Sequence, residues 1–236
     1  MSSIKEQIIQ AIVSKLSDIR TTKGYSTNMG ANVGTVDAQI DPDDAPAIMV
    51  WIDPTETQNE HGNTVHPMPV RFEGFTVFGT SNASTIANQM EADIIECIAG
   101  SSWTIPFTSG GTYEPSAGDT LTGATSTATA YIETVTLSSG AWADGDAAGT
   151  FTIRRKVGSF SAENFNIGAN LNVASTTGVV TYSDAISTTT GGLAEEIQYQ
   201  GGGVTVWPEA GDLIVGCQHT FNIKFKHIIG DPYHQR

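Results

Sequence analysis

The chain changes in composition twice along its length, and this change limits the folds that it can adopt. Residues 1–100 and 191–236 combine apolar residues at helical spacing with strand-like runs, whereas residues 101–190 are rich in Thr, Ser, Gly and Ala. The middle segment consists of short alternating strands separated by turns, which is typical of a small sandwich or barrel. The sequence therefore predicts an α+β core formed by residues 1–100 and 191–236, with an inserted all-β domain at residues 101–190.

Two helices are predicted in the core. Ser3 and Glu6 have the spacing of a capping box, and an apolar stripe at i, i+4 spacing follows them. A second stripe with the same spacing begins near residue 86. The stripe residues are Ile4, Ile8, Ile12 and Leu16 in the first helix, and Ile86, Met90, Ile94 and Ile98 in the second. We expect both helices to pack on one antiparallel sheet.

The predicted sheet has strands on both sides of the insert. The strand candidates are Ala47–Ile52, Val70–Gly79, Val204–Trp207 and Gly216–Lys226, with Val33–Ile40 pairing more loosely. The last strand alternates between polar and apolar residues, which predicts one buried side. That side carries Cys217, His219, Phe221, Ile223 and Phe225.

A long polar loop is predicted at Asp53–Pro69. This segment contains three of the nine prolines of the chain, together with Glu56, Glu60 and Gly62. Because connections of this length within a compact domain are usually functional, we expect the loop to present a contact surface.

Charge and residue content argue against several classes of protein. The chain has 236 residues with 25 acidic and 11 basic side chains, so its net charge of −14 argues against a nucleic-acid binder with a broad basic face. It lacks a run of about 18 apolar residues and the apolar stretch of a signal peptide, so we expect no membrane span. Cys97 and Cys217 lie in apolar periodic segments and are predicted to be buried free thiols.

No motif in the chain predicts catalysis or a bound cofactor. The five histidines show neither HxH nor HxxxH spacing, and for His61 and His66, which flank the predicted loop, a solvated role is favoured over metal ligation. His219 is predicted to be a core histidine. There is no GxSxG motif, and Gly201–Gly203 lacks the lysine and the following helix of a phosphate loop. We therefore predict no enzymatic activity, no metal and no cofactor.

Two parts of the sequence resemble proteins of bacteriophage tails. The order of the core elements, the segment Phe221–Phe225 and the final tetrapeptide Gly230–Tyr233 resemble the tail terminator (tail completion or minor tail) proteins of long-tailed phages. The insert contains Gly118–Ser126, Ser139–Thr150 and Val157–Phe160. Its GATS and SGxWAxGDAAGT motifs are similar to small β modules that recur in phage and prophage structural proteins.

The resemblance implies a structural virion protein that forms a ring, usually a hexamer, on the tail tube. Such a ring ends tube polymerisation and joins the tube to the head. The implied partners are further copies of the chain, the tail tube protein and a head–tail connector or neck protein. Genomic DNA would pass through without sequence-specific binding. The implied location is the virion tail or neck, after assembly in the host cytoplasm.

The expected contact residues of such a ring lie in the predicted loop and in the final tetrapeptide. The candidates are Glu56, Glu60, His61, His66, Asp231, Pro232 and Tyr233.

A carbohydrate-binding or adhesive module is the alternative function, with the β insert recognising sugars through aromatic stacking. The candidate aromatic residues are Trp103, Tyr113, Tyr131, Trp142 and Tyr182. For Trp142, a structural role inside the β domain is favoured over sugar binding. A hydrolase is a third hypothesis, but the sequence displays no convergent acid/base pair. Self-association separates these functions, because a ring requires it and a lone module does not.

Overall fold

The computed structural model describes residues 2–35, 42–77, 82–111, 113–208 and 213–235. Contacts within the chain divide it into two compact units. The first comprises Met1–Arg20, Tyr25–Gly100 and Ala185–Arg236, and the second comprises Thr21–Gly24 and Ser101–Asp184. The domain boundaries inferred from composition stay a prediction.

Helices and strands are numbered in chain order over both units. The first unit contains the helices α1 (Ile4–Leu16), α2 (Ala83–Ala99) and α3 (Ala185–Thr190). Its strands are β1 (Val33–Thr35), β2 (Ala47–Ile52), β3 (Gln58–Glu60), β4 (Asn63–Val77), β12 (Glu196–Pro208) and β13 (Leu213–Ile228). The strands of the second unit are β5 (Ser102–Gly110), β6 (Thr120–Gly123), β7 (Thr129–Ser139), β8 (Ala147–Val157), β9 (Glu163–Ile167), β10 (Asn170–Thr176) and β11 (Thr181–Ser183).

Helices α1 and α2 form where the sequence predicts them and bury the predicted stripes. The Glu6 N–H donates to Ser3 Oγ at 3.2 Å, which satisfies one free donor at the start of α1. Ile86 is only partly buried, but the other stripe residues pack into one apolar cluster with the sheet. These residues are Ile4, Ile8, Ile12 and Leu16 on α1, and Met90, Ile94 and Ile98 on α2.

The sheet of the first unit is mixed, so the prediction of an antiparallel sheet is wrong for one pair of strands. The strand order is β1-β2-β4-β13-β12, with β3 paired to β4. Strand β1 runs parallel to β2, with Val33 opposite Ile48, whereas the other pairs of described strands are antiparallel. Residues 36–46 connect β1 to β2, and they supply about the dozen residues that a parallel return requires.

The late strands confirm the predicted alternation but are longer than expected. The predicted apolar side of β13 is buried, with exposures of 2% or less at Cys217, His219, Phe221, Ile223 and Phe225. Strand β12 begins at Glu196 rather than Val204, and Gly201–Gly203 lies inside it. Of the loosely pairing segment Val33–Ile40, Val33–Thr35 forms β1, while residues 36–40 lie outside the described residues. The last two residues of the predicted strand Val70–Gly79, 78–79, also lie outside them.

The predicted loop at Asp53–Pro69 is wrong, because most of it is a β-hairpin. Strand β4 begins at Asn63, and β3 pairs with it through Gln58–Val65 and Glu60–Asn63. The turn residues His61 and Gly62 have φ angles of 47° and 86°, which is the backbone of a tight two-residue hairpin turn.

The prolines of this segment fit the hairpin because of their position in the sheet. Pro67 and Pro69 pair with β13, but their stretch of β4 lies between the residues paired to β3 and those paired to β2. A proline has no N–H to donate, so it is tolerated where β4 pairs with only one neighbouring strand. The content of Pro, Gly and Asn therefore indicated a loop although the chain continues as a strand.

The second unit is a single antiparallel sheet of seven strands. Its order is β10-β9-β6-β7-β8-β5-β11, and Ser175 on β10 also pairs with Thr108 on β5. The sheet is therefore ring-like without being a barrel, and it encloses its own apolar cluster around Phe107, Phe151 and Phe165. The predicted α+β class with an inserted all-β unit is confirmed, because two helices pack on the first sheet and the second unit consists of antiparallel strands. The expected sandwich or barrel is instead a single ring-like sheet.

Candidate interface at one end of the sheet

Residues from the two predicted contact segments meet at one end of the first unit's sheet. Strand β13 pairs along β4 as far as Ile228–Asn63, so the hairpin turn lies beside the chain that leaves β13. The Ile229 N–H donates to Gly62 O at 3.1 Å, and this hydrogen bond holds the hairpin turn against the chain that follows β13. Glu60, His61 and Asp231 all lie at this end. Glu56 lies in the exposed connection between β2 and β3.

The hairpin is held mainly by its backbone pairing. Lys226 Nζ lies 3.8 Å from Glu60 Oε2 and 3.1 Å from Glu195 Oε1. The Glu60 side chain is 54% exposed, and exposed ion pairs of this kind contribute little to stability. The turn therefore projects polar side chains from a fixed backbone, which suits a contact surface.

The C-terminal turn joins the end of the chain to its beginning. Asp231 Oδ1 accepts the Tyr233 N–H at 3.1 Å, and Asp231 Oδ2 lies 2.7 Å from His234 Nδ1. These two hydrogen bonds lower the pKa of Asp231 below its ordinary value. Pro232 O accepts the Ile4 N–H at 2.9 Å, and this satisfies another free donor of α1. Asp231 and Pro232 thus have an internal role, while Tyr233 is 44% exposed.

Two histidines that the sequence does not predict to be neighbours lie at the same end of the sheet. His66 Nε2 and His227 Nε2 are 2.7 Å apart, although the residues are 161 positions apart in the chain. The register places His66 opposite Phe225, and its ring stacks on Phe225 at a centroid distance of 4.8 Å. Burial, His227 and Lys5 lower the pKa of His66. No sequence spacing reveals such a pair, because the pairing of β4 with β13 creates it.

The other titratable candidates are buried in the core. His219 has no exposed surface, and its Nδ1 lies 3.0 Å from the Tyr199 hydroxyl, so the prediction of a core histidine is confirmed. Cys97 and Cys217 are buried free thiols, as predicted. Burial raises the pKa of Cys217 to about 12, which leaves it protonated and unsuited to nucleophilic attack at neutral pH.

A second candidate surface is the free edge formed by β12. Over the described residues β12 pairs on one side only, with β13, and its register shifts between Tyr199 and Gly201. Val204 and Val206 on this strand are 42% and 52% exposed. An open groove of about 640 Å³ lies along the strand. Its lining is Gln200, Gly201, Gly202, Gly203, Val204, Thr205, Gln218 and Thr220.

The GATS motif of the insert binds a buried carboxylate of the same unit. Glu163 accepts hydrogen bonds from the N–H groups of Thr125, Ser126 and Ser161 and from Ser126 Oγ, at 2.6–3.0 Å. Burial alone would raise the pKa of Glu163, but these bonds outweigh it and lower the pKa to about 2. A Cβ on Gly123 would lie 2.6 Å from Glu163 Oε1, so the close approach requires glycine.

The tryptophan of the second insert motif fills the ring-like sheet. Trp142 is 5% exposed and stacks on Phe107 at a centroid distance of 5.1 Å. A Cβ on Gly110 would lie 2.5 Å from the Trp142 ring. The predicted structural role of Trp142 is therefore confirmed, and both motifs serve the packing of the unit that contains them.

No protein-family model and no curated protein matches this chain. In the part of the chain that the structure describes, no helix is long and apolar enough to cross a membrane. The same residues contain no group of three or more His, Cys, Asp or Glu side chains placed to hold a metal ion.

Proposed function

We propose that this chain is a structural protein of a phage tail, which forms a ring that caps the tail tube, ends its polymerisation and joins it to the head connector. The observation that carries the proposal is the free edge of β12. A strand of 13 residues with two exposed valines is an edge that soluble proteins normally shorten, charge or cover. A neighbouring copy of the chain would cover it.

The two edges of the sheet differ, and a ring needs this difference. A ring closes through a heterologous contact, in which each subunit offers two different surfaces. Strand β12 forms one edge, whereas the other edge is β1, which has three residues and pairs in parallel with β2.

The net charge of −14 also suits a ring through which DNA passes. Acidic groups repel phosphates, so a ring of such subunits would let DNA slide instead of holding it. This supports a passage for the genome and gives no reason to expect sequence-specific binding.

Solution size is the first test. We expect the purified chain to form closed rings, hexameric by the resemblance, in light scattering and negative-stain electron microscopy. A Val204→Glu/Val206→Glu variant should fail to close rings, because the charges would be buried at the contact. Val157→Glu/Leu171→Glu is the matched control, since these exposed residues lie in the second unit. A wild-type chain that stays monomeric would refute the proposal.

The hairpin turn provides the test of the contact with the tube. Deleting residues 57–65 would remove part of β4, including the buried Val65, so substitutions at the tip are the cleaner change. We expect Glu60→Lys/His61→Glu to form rings that no longer bind tail tubes in pelleting assays, because both changes reverse or add charge on exposed side chains. Equal tube binding by this variant would exclude the turn as the contact.

Carbohydrate binding remains the second candidate, on one observation. Trp142 is buried, but Tyr182 is 58% exposed and meets the half-buried Trp103 edge-on at a centroid distance of 5.9 Å. Aromatic pairs of this kind can stack on sugar rings. Binding to a glycan array that is lost in Tyr182→Ala and kept in Tyr113→Ala would favour this function.

A further inference from the structure

The two imidazoles of His66 and His227 meet tip to tip. Their Nε2 atoms are 2.7 Å apart, with the ring planes inclined by 32°. His227 Nδ1 lies 2.8 Å from Ile228 O, which only accepts hydrogen bonds. In the neutral pair, His227 therefore carries its proton on Nδ1 and presents a lone pair at Nε2, toward which His66 Nε2–H donates.

Both rings are held in place before any ligand arrives. His66 is on β4 and stacks on Phe225 with an interplanar angle of 8°, while His227 is on β13 and is tied to the backbone at Ile228. A hydrogen bond from the second ring nitrogen to a carbonyl is the usual support of a histidine that ligates a metal. The pair thus supplies two imidazole donors on neighbouring strands, and the hydrogen bond to Ile228 O supports one of them.

We propose that His66 and His227 together bind one divalent transition-metal ion of the zinc, nickel and copper class. The ion takes the place of the proton between the two Nε2 atoms. That proton moves to His66 Nδ1, so the pair stays neutral and releases no proton. In a tetrahedral site, Zn–N distances of about 2.0–2.1 Å place the two Nε2 atoms about 3.3 Å apart, so the rings must separate slightly and tilt until both lone pairs point at the ion. Water completes the coordination. Imidazole nitrogen selects these metals over magnesium and calcium.

The charges around the pair are balanced. Lys5 at the start of α1 acts on His66, and the Asp231 carboxylate interacts electrostatically with His227. The positive charge of Lys5 disfavours a bound cation, whereas the negative charge of Asp231 favours its binding.

Bound metal would clamp the end of β13 to β4. The chain leaving β13 forms the turn whose Pro232 O caps α1, so the clamp would also secure the joined termini. This role is independent of ring formation and of the proposed function.

Calorimetric titration of the chelator-treated full-length chain with Zn²⁺ and with Ni²⁺ tests the site. We expect one ion per chain, no binding of Mg²⁺, and a rise in Tm on adding Zn²⁺. His66→Phe keeps a ring to stack on Phe225 and should weaken binding at least about tenfold, because one of two chelating ligands is lost. His227→Gln should do the same, and neither variant should gain Tm from Zn²⁺.

His61→Ala is the matched control, because its side chain is 92% exposed on the same hairpin. It should bind like the wild type. Far-ultraviolet circular dichroism establishes that each variant is folded, and two independent ligand variants keep the test valid if one misfolds. No binding by the wild type, unchanged binding in both ligand variants, or an equal loss in His61→Ala would each overturn the proposal.

Discussion

At the scale of single residues, two buried carboxylates support the fold through hydrogen bonds to backbone N–H groups. Glu163 satisfies four donors of two turns, and Asp93, which has no exposed surface, accepts from the N–H groups of Ser26 and Thr27. Buried carboxylates persist only when they are hydrogen-bonded in this way. Each of them fixes a segment without regular structure to its own unit.

Glu163→Gln should destabilise the second unit by about 2 kcal/mol, because neutral acceptors replace charge-assisted hydrogen bonds. The pKa of Glu163 is about 2 in the folded chain against an ordinary value of 4.5. Its contribution is therefore complete above about pH 4.5 and is lost as the pH falls from there toward 2. Urea unfolding of the wild type and the variant at several pH values measures this difference. Glu114→Gln, at an exposed position, is the control and should change little at any pH.

Trp142→Ala should lower the free energy of unfolding by about 3–5 kcal/mol, because it empties the centre of the aromatic cluster. Val179→Ala, at an exposed side chain of the same unit, should stay within about 0.5 kcal/mol of the wild type. Chemical denaturation followed by fluorescence compares the two variants. Similar small losses in both would contradict the assigned role of Trp142.

At the scale of elements, the helices contribute apolar surface, while the strands decide which side chains meet. The stripes of α1 and α2 cover one face of the sheet, and the pairing of β4 with β13 brings His66 to His227. The same pairing holds the hairpin turn beside the C-terminal turn. The candidate interface is therefore a product of strand register rather than of any one segment.

Ile12→Ala and Ile94→Ala should each cost about 2–5 kcal/mol, because both side chains are fully buried between helix and sheet. Ile8→Ala and Ile98→Ala should lower the free energy of unfolding by a similar amount. Gln10→Ala on the exposed side of α1 should leave the unfolding free energy almost unchanged. Thermal unfolding monitored at the helical circular dichroism band provides the measurement. A small effect at all four isoleucines would contradict the packing described for the helices.

At the scale of the whole molecule, the first unit is formed by segments that precede and follow the second unit in the sequence. Helix α3 belongs to the first unit, where Thr189 Oγ1 donates to Ile98 O at 3.0 Å near the end of α2. The Ile4–Pro232 hydrogen bond joins the termini of the same unit. Each unit also has an apolar cluster of its own.

Replacing residues 101–184 by a short Gly/Ser linker should leave the first unit folded, because its cluster contains no residue of the deleted segment. We expect helical circular dichroism and a cooperative thermal transition. The full-length chain in the same buffer is the reference. A variant without a cooperative transition would refute the two-unit description.

Features that depend on local spacing can be predicted from the sequence. The apolar stripes of both helices, the buried side of β13 and the all-β character of the insert follow from periods of 3.6 and 2 residues, which are visible in any short window. The resemblance of the final tetrapeptide and the polar composition around Glu60 and His61 also indicate both segments as contact candidates from the sequence alone.

Which segments become neighbours depends on the fold of the whole chain. The parallel pairing of β1 with β2, the hairpin within the supposed loop, the His66–His227 pair and the carboxylate network of Glu163 all depend on strand register or on contacts between distant residues. Such contacts form where the gain from shared burial and hydrogen bonds exceeds the entropy of closing the intervening chain. That balance belongs to the whole fold, so no local pattern in the sequence expresses it.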